Sequence, residues 1–313
     1  MANLTRAETA ALFGRLDRFA ILTHRRPDGD TLGSAALLCR GLRQLGKHAH
    51  IVENPEITAK YAFLHAGLTK PCAEKGDTVV CVDTASRDML CDCFRPLTVD
   101  VRIDHHATAE DFTANALVDP DAAACGEIVY DVLCLMGAQL DTQMANALYT
   151  AISTDTGCFR FSNTTANTFT VAAACARVSS DLFDLNQILF MTNTLARLRV
   201  QSYLTQNAQF LCGGKIVLCA LPLETERALG ATQDDMDNIA GFPRSFEGVQ
   251  MAALLRQEAD GRVKLSVRAI PGLDASAVCA KFGGGGHKGA AGASMRLTMD
   301  EAVKAVIEAL PEI

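Results

Sequence analysis

The sequence has no run of about 18 apolar residues, the length a membrane-crossing helix needs, so no membrane span is expected. Its first residues, Met1-Ala2-Asn3-Leu4-Thr5-Arg6-Ala7-Glu8, lack the basic end and apolar stretch of a secretory signal, and a cytoplasmic location is expected. Positive charge is in short supply: 29 Lys and Arg stand against 36 Asp and Glu, a formal net charge of −7. That balance argues against broad binding to long nucleic acid, but not against a small phosphorylated ligand held by a local site. The 12 cysteines show no zinc-knuckle spacing, and Cys91-Asp92-Cys93 does not supply one. Cys39, Cys81, Cys134, Cys175, Cys219 and Cys279 sit inside apolar runs, where thiols pack as small hydrophobes in a reducing compartment. No internal repeat or low-complexity segment occurs.

What is present suits two domains: 313 residues, 49% hydrophobic and 21% charged, exceed one ordinary core. Short β-branched runs at 19–23, 48–52, 78–82, 99–103 and 116–118 alternate with helical spacing at 32–45, 126–136 and 142–153. This predicts an α/β domain over 1–190, a mainly parallel sheet with helices on both faces. Residues 184–190 and 194–210 read as helical, and 191–210 is taken as a helical linker. Beyond it, strand-like runs at 215–221, 249–257 and 262–269, the last two flanking the tight-turn signal Asp260-Gly261, lead to a helix over 274–282. A capping box at Thr298–Glu301 opens a final helix to about Leu310. Residues 211–313 are therefore expected to form a smaller α+β domain, with an active-site cleft between the two.

Four acid-and-histidine clusters carry the chemistry. They are Thr23-His24-Arg25-Arg26-Pro27-Asp28-Gly29-Asp30, Cys81-Val82-Asp83-Thr84, Ile103-Asp104-His105-His106 and Thr154-Asp155-Thr156-Gly157. The first three each follow a predicted strand, where open α/β sheets build their sites. Carboxylate oxygen with imidazole nitrogen suits Mn²⁺ and related divalent ions. Asp28 or Asp30 alone reads equally well as a helix or turn cap; the whole ordered set does not. Asp83 follows a nearly all-apolar strand, where an unpaired charge is costly unless a metal or hydrogen bonds compensate it. A carboxylate there can bridge two ions about 3.5–4 Å apart.

These motifs closely resemble the DHH phosphoesterase superfamily, whose triplet stands here as Asp104-His105-His106. The resemblance extends over nearly the whole chain. It implies that His24, Asp28 and Asp83 hold one metal and that Asp30, Asp83, His105 and Asp155 hold the other, with Asp83 shared. It implies two divalent ions, Mn²⁺ first, with Mg²⁺ or Co²⁺ as alternatives. Asp104 would orient the histidine pair and His106 would face the substrate phosphate, with Arg160 a further cationic candidate.

The run Phe282-Gly283-Gly284-Gly285-Gly286-His287-Lys288-Gly289 is similar to the glycine-rich GGGH motif of the DHH-associated C-terminal domain. Glycines let backbone N–H groups approach an anion, and His287 and Lys288 add donors. Ser266 and Arg268 alternate onto one strand face. Gly284, Gly285, Gly286, His287, Lys288, Ser266 and Arg268 are thus the expected substrate-binding set, with Arg268 gripping a phosphate.

Together the motifs look most like the NrnA-like nanoRNase and pAp-phosphatase group. The resemblance implies a hydrolase that shortens oligoribonucleotides of a few residues to mononucleotides and dephosphorylates 3′-phosphoadenosine 5′-phosphate (pAp). Short RNA and pAp are the expected substrates, long duplexes and membranes are not expected partners, and a homodimer stays open. A linear or cyclic diadenylate phosphodiesterase is the nearest rival, followed by a nucleotide-binding regulator without catalysis. A family II pyrophosphatase would lack the glycine-histidine run, and a RecJ-type exonuclease would carry further nucleic-acid-binding segments.

Overall fold

The computed structural model describes residues 2–107 and 110–313, and the chain divides at Thr192/Asn193 into two compact units. The first holds, in order, β1 (Ala2–Asn3), α1 (Arg6–Arg15), β2 (Arg18–Leu22), α2 (Gly29–Gln44), β3 (His48–Val52), α3 (Ala62–His65), β4 (Thr69–Lys70), β5 (Thr78–Val82), β6 (Val101–Asp104), β7 (Asn115–Val118), α4 (Cys125–Leu135), α5 (Thr142–Asp155), α6 (Ala166–Val178) and α7 (Leu182–Asn186). The strands form one sheet in the order β1-β7-β6-β5-β2-β3-β4, with every pairing parallel. The chain leaves β2 towards one edge and β5 towards the other, so the carboxyl ends of β2 and β5 flank the point where the strand order reverses. Ligand sites of open α/β sheets gather there.

The class and the mainly parallel sheet agree with the sequence reading; the covering of the two faces is less even than expected. One face, with Phe19, Ile21, Ile51, Val80, Val82, Ile103 and Leu117, is buried under helices α1, α2, α4 and α5. The other, with Ala20, Leu22, Val52, Val79 and Cys81, is covered by Leu90, Cys91, Phe94 and Val99 from an irregular segment that contains only one short helical turn, Arg87–Met89. Cys134 is exposed, contrary to its place in an apolar run, while Cys39, Cys81, Cys175, Cys219 and Cys279 are buried. Helices α1 and α6 are not anticipated by the periodicity. Each is opened by a threonine capping box, Thr5 with Glu8 and Thr165 with Thr168, and the first of these is a readable start signal.

The second unit holds α8 (Leu195–Gln206), β8 (Gln209–Leu211), β9 (Ile216–Leu221), α9 (Leu223–Ala228), β10 (Met251–Gln257), β11 (Val263–Ala269), α10 (Ala275–Ala280), β12 (Gly285–His287), β13 (Ala290–Met295) and α11 (Met299–Ala309). Its sheet runs β12-β13-β11-β10-β9-β8, antiparallel except for β9 with β10. The stretch expected to link the domains is instead part of this unit. Val200 and Leu204 of α8 are fully buried against Val217, Cys219 and Leu254, which gives the helix a core of its own to hold. Gln209 and Phe210, expected at the end of that helix, instead begin the edge strand β8, because the helix stops at Asn207.

Close helix packing in the first unit depends on glycine. A Cβ on Gly33 of α2 would sit 2.4 Å from the Ala147 carbonyl oxygen and 2.9 Å from the Ala151 nitrogen of α5. Gly33→Ala must therefore push α2 and α5 apart, and overpacking of this kind costs about 1–3 kcal/mol. Denaturant unfolding should show that loss. An unchanged midpoint would mean that the two helices do not pack this closely.

Candidate metal centre

All six expected ligands converge at the carboxyl end of the first sheet. Asp28 caps α2, its Oδ1 accepting from the N–H groups of Asp30 (3.0 Å) and Thr31 (3.2 Å). Asp30, one residue into the helix, is 1% exposed. It accepts from the Cys125 N–H at 2.7 Å and the Gly126 N–H at 3.0 Å, the free amino end of α4, and from Ser34 Oγ at 2.9 Å. A carboxylate is well placed at a helix amino end, where unpaired N–H groups and the helix dipole both favour it. Asp83 follows β5 with φ of 52°, a left-handed conformation that asparagine and aspartate tolerate better than most residues. Its N–H still bonds the Ile103 carbonyl at 2.9 Å.

The imidazoles are aimed by main-chain carbonyls. His24 Nδ1 lies 2.7 Å from Arg25 O, and His105 Nδ1 lies 3.2 Å from Ala122 O. Each ring thereby donates outwards through Nδ1 and turns Nε2 to the acids, the tautomer a metal-binding histidine needs. His24 Nε2 is 3.5 Å from Asp83 Oδ2 and 3.7 Å from Asp28 Oδ1. His105 Nε2 is 3.5 Å from Asp83 Oδ1, 3.7 Å from Asp30 Oδ2 and 3.8 Å from Asp155 Oδ2. The two oxygens of Asp83 thus face two different ligand sets. His24, Asp28 and Asp83 present one ligand atom each within 4.8 Å of one another, as do Asp30, His105 and Asp155. Asp83, His105 and His106 make a third such group. His106 is nevertheless turned to Asp104, its Nδ1 2.8 Å from Oδ1; the same oxygen accepts from the His105 and His106 N–H groups at 2.9 and 3.3 Å.

The charges are unbalanced. Burial pushes the Asp83 carboxyl up, but His105 and His24 outweigh it and hold it far below the usual range. Asp83 Oδ1 is buried without a hydrogen bond. Burial, and then the charge of Asp83, pushes Asp30 well above the usual range. Burial takes Asp155 to about 7, with His105 opposing and Asp83 and Asp28 adding. Burial opposes the charged form of His105, yet Asp83, Asp30 and Asp155 lift it to about 11; Asp28 and Asp83 raise His24 in the same way. Asp30, Asp155, His24 and His105 hold protons this tightly because the cluster lacks positive charge, and divalent cations fit the donor set, the orphaned oxygen and the imidazole tautomers.

Two supports were not anticipated. Asn163 donates from Nδ2 to Asp155 Oδ2 (3.2 Å) and to the Ala123 carbonyl (3.0 Å), tying α5 to the loop before α4. Asn54 donates to Thr23 Oγ1 (3.0 Å) and the His24 carbonyl (2.9 Å), fixing the end of β2. Neither has a sequence signal beyond being a polar residue near a turn. Arg160 is exposed, and its Nε bonds the Gly157 carbonyl of its own turn at 2.6 Å, so the structure gives it no link to the acids.

In the second unit, Arg268 of β11 is in register with Ala290 of β13, which is in register with His287 of β12; Ser266, Gly292 and Gly285 form the next row. Residues opposite one another share a face, so Ser266, Arg268 and His287 project from the same side of the sheet. Val267, Leu265, Ala291 and Ala293 point the other way, into the core with α10. Burial lowers the Arg268 guanidinium, and its one hydrogen bond is to Val267 O at 3.1 Å; among the described residues no carboxylate lies within 4.0 Å of it. The glycines also have a packing duty. A Cβ on Gly284 would fall 2.2 Å from Gly292 O, and one on Gly286 (φ 141°) 2.7 Å from Ala290 O, so β12 approaches β13 only without side chains there. Gly285 meets no such obstacle, and Lys288 is exposed.

Residues 18–152 match the model of the DHH family, N-terminal domain, and residues 213–312 match that of the DHHA1 domain. The chain is 34% identical over 301 residues to the "Bifunctional oligoribonuclease and PAP phosphatase NrnA" of Thermus thermophilus, covering 93% of this chain and 89% of the relative. This chain belongs to the DHH family, in its NrnA-like group. The protein of the same name from Bacillus subtilis is 27% identical, with 91% of each chain covered. An exopolyphosphatase-related protein of Bacteroides fragilis shares the fold, with a TM-score of 0.83 at 23% identity over 97% of this chain and 95% of that one. Within the matched residues 18–152 the structure gathers Asp83 from one strand end, and Asp104, His105 and His106 from the next. No helix among the described residues is long and apolar enough to cross a membrane.

The folded chain binds the Asp155 proton more tightly than an unfolded chain would, since its carboxyl rises from 3.8 to about 7. Metal-free protein should therefore lose stability as pH rises through that window. At pH 6, divalent metal must displace protons from Asp155 and His105, so calorimetric titration in buffers of different ionisation enthalpy should record net proton release. Asp155→Asn should reduce it. Metal binding without proton release would separate the cation from these groups.

Proposed function

We propose that this chain is a two-metal phosphoesterase that hydrolyses short oligoribonucleotides to mononucleotides and pAp to AMP. The observation that carries this reading is Asp83, a buried carboxylate whose two oxygens face two histidine-and-aspartate sets. Relatives that span nine-tenths of the chain and bear both activities in their name support the substrate class.

In this reading His24, Asp28 and Asp83 hold one ion, and Asp30, Asp83, His105 and Asp155 the other, with Mn²⁺ ahead of Mg²⁺ or Co²⁺ because imidazoles stand among the oxygen ligands. Four carboxylates against two divalent ions leave a site near neutrality. When bound, the ions supply charge neutralisation for the attacked phosphoryl group and activation of the attacking water. Water adds at phosphorus, the bond to the leaving oxygen breaks, and that oxygen takes up a proton. His106 serves this step with its charge. Burial opposes protonation of the ring, but Asp104 and Asp83 favour its charged form. Asp104 holds the ring in position through Nδ1. Ser266, Arg268, His287, Lys288 and the backbone of Gly284, Gly285 and Gly286 bind another phosphate of the substrate, with Arg160 a weaker candidate.

The two histidines separate experimentally. His105→Ala should lower metal content, while His106→Ala should keep it and lose turnover. Metal analysis of both purified variants checks this, and equal metal loss in the two would refute the division.

Incubation with labelled two- to ten-mers, pAp, diadenylates and pyrophosphate, with and without Mn²⁺, tests the substrate class; full turnover after thorough chelation would end the metal mechanism. On the same panel, Arg268→Ala removes a charge-assisted contact worth on the order of 1.5–3 kcal/mol. Efficiency on di- to tetraribonucleotides and pAp should fall at least about tenfold. A bis-nitrophenyl phosphate, which has no second phosphate to grip, should be nearly unaffected. Equal losses on both would make Arg268 a support of the fold rather than a substrate ligand.

A further inference from the structure

The other end of the first sheet carries a cavity of about 330 Å³ lined by Arg18, Arg43, Lys47, His48, Ala49, His50, Lys70 and Asp77. Arg18 opens β2, and His24 follows that strand's far end, so Arg18 lies roughly 20 Å from His24 at about 3.3 Å per strand residue. None of the six metal-site residues lines it. We propose that it is a second anion site, which takes a small phosphorylated anion: a mononucleotide or inorganic phosphate.

The charge there is concentrated and only half balanced. Four permanently cationic side chains line the cavity of a chain whose net charge is −7. Arg18 donates to Asp77 Oδ1 at 3.0 Å and Glu74 Oε2 at 2.5 Å, and Lys70 to Glu74 Oε1 at 2.7 Å. Those two carboxylates match two of the four cations. His50 Nε2 lies 3.1 Å from Cys72 O and 3.8 Å from Asp77 Oδ2. Arg43 and Lys47 have carbonyl partners instead. Arg43 Nε bonds Ala49 O at 2.7 Å and Nη1 bonds Gly67 O at 3.1 Å; Lys47 Nζ bonds Gly14 O at 3.1 Å and Leu16 O at 2.5 Å. The carbonyls that hold Lys47 close the carboxyl end of α1 and offset part of its charge, but both cations are fixed in place without a carboxylate within 4.0 Å among the described residues.

Anchoring chain ends explains where Arg43 and Lys47 sit, but not why a cavity opens among them with two cations that no carboxylate answers within 4.0 Å among the described residues. Phosphate is the anion that suits the arrangement: an arginine with donors to spare, a lysine as point charge and an exposed imidazole, His48, at the rim. The volume lies at the low end of small-molecule sites, about 300–1,000 Å³, which suits a phosphate or one mononucleotide.

The test is calorimetric titration of the metal-loaded full chain with AMP, inorganic phosphate and adenosine at constant ionic strength. A binding class should appear that survives Asp83→Ala and is weakened at least tenfold by Lys47→Gln, while hydrolysis of bis-nitrophenyl phosphate by Lys47→Gln stays within twofold of the unaltered protein. Arg43→Gln, which removes the second cation, should weaken the same class at least about tenfold. Should Lys47→Gln lower the thermal midpoint, His48→Glu places a negative charge at the exposed rim and should weaken the same class. Tighter binding of AMP than of phosphate identifies a nucleotide site, and equal binding a phosphate site. Adenosine binding as well as AMP, equal displacement by chloride, or an isotherm that neither Lys47→Gln nor His48→Glu alters would overturn the proposal.

Discussion

Everything at the carboxyl end of the first sheet follows from placing negative charge where water does not reach. Asp83 is 3% exposed and Asp30 1%, and Asp83 keeps one oxygen without a hydrogen-bonding partner. A buried carboxylate of this kind is tolerated only if cations answer it. Protons on His24 and His105 do so in the protein alone, which is why both imidazoles hold them so firmly. Divalent ions answer it better, since they meet all the oxygens at once. The site is thus folded around a deficit of positive charge, and the same deficit draws the ions in.

The rest of the first unit serves that arrangement. The switch in strand order brings the ends of β2 and β5 side by side, and Asp83 reaches its neighbours from there. Helix α2 delivers Asp28 and Asp30 with its first turn, and the start of α4 accepts Asp30 as its cap. Glycines let the helices come this close: Gly126 faces the Ala151 side chain, and Gly29 faces Thr154, one residue before Asp155. Asp155 itself sits at the carboxyl end of α5, where a negative charge is disfavoured by the helix dipole unless a cation is near.

The second unit solves a different electrostatic problem. Arg268, Ser266 and His287 occupy one face of a sheet whose other face is its core, and the guanidinium has no carboxylate to answer it. The glycine run that marks this unit has two requirements written over each other. Gly284 and Gly286 allow β12 to lie against β13, while Gly285 meets no steric obstacle. A motif read as an anion cradle is also, and visibly, a packing device.

By itself the sequence determined the main strands of both units, several of the helices, and the acid and histidine residues that come together. Strands β3 and β5 were set to the residue, β5 because a buried parallel strand leaves a near-continuous apolar, β-branched signature. The Asp-Gly turn set the β10–β11 hairpin, and the four acid-and-histidine clusters named the acid and histidine residues that the structure groups within metal-binding distance among the described residues. Only the tertiary structure decided what depends on distance. It assigned α8 to the second unit's core, which no local pattern distinguishes from a connector. It left one sheet face to an irregular segment, because apolar residues such as Leu90 and Phe94 cover a sheet without helical spacing. It recruited Asn54, Asn163 and the carbonyls of Arg25 and Ala122, whose roles come from position and leave no mark in residue type. It also gathered Arg18, Arg43, Lys47 and Lys70 from four separate elements and loops into one cavity, since long-range electrostatics act through space and sequence spacing does not record them.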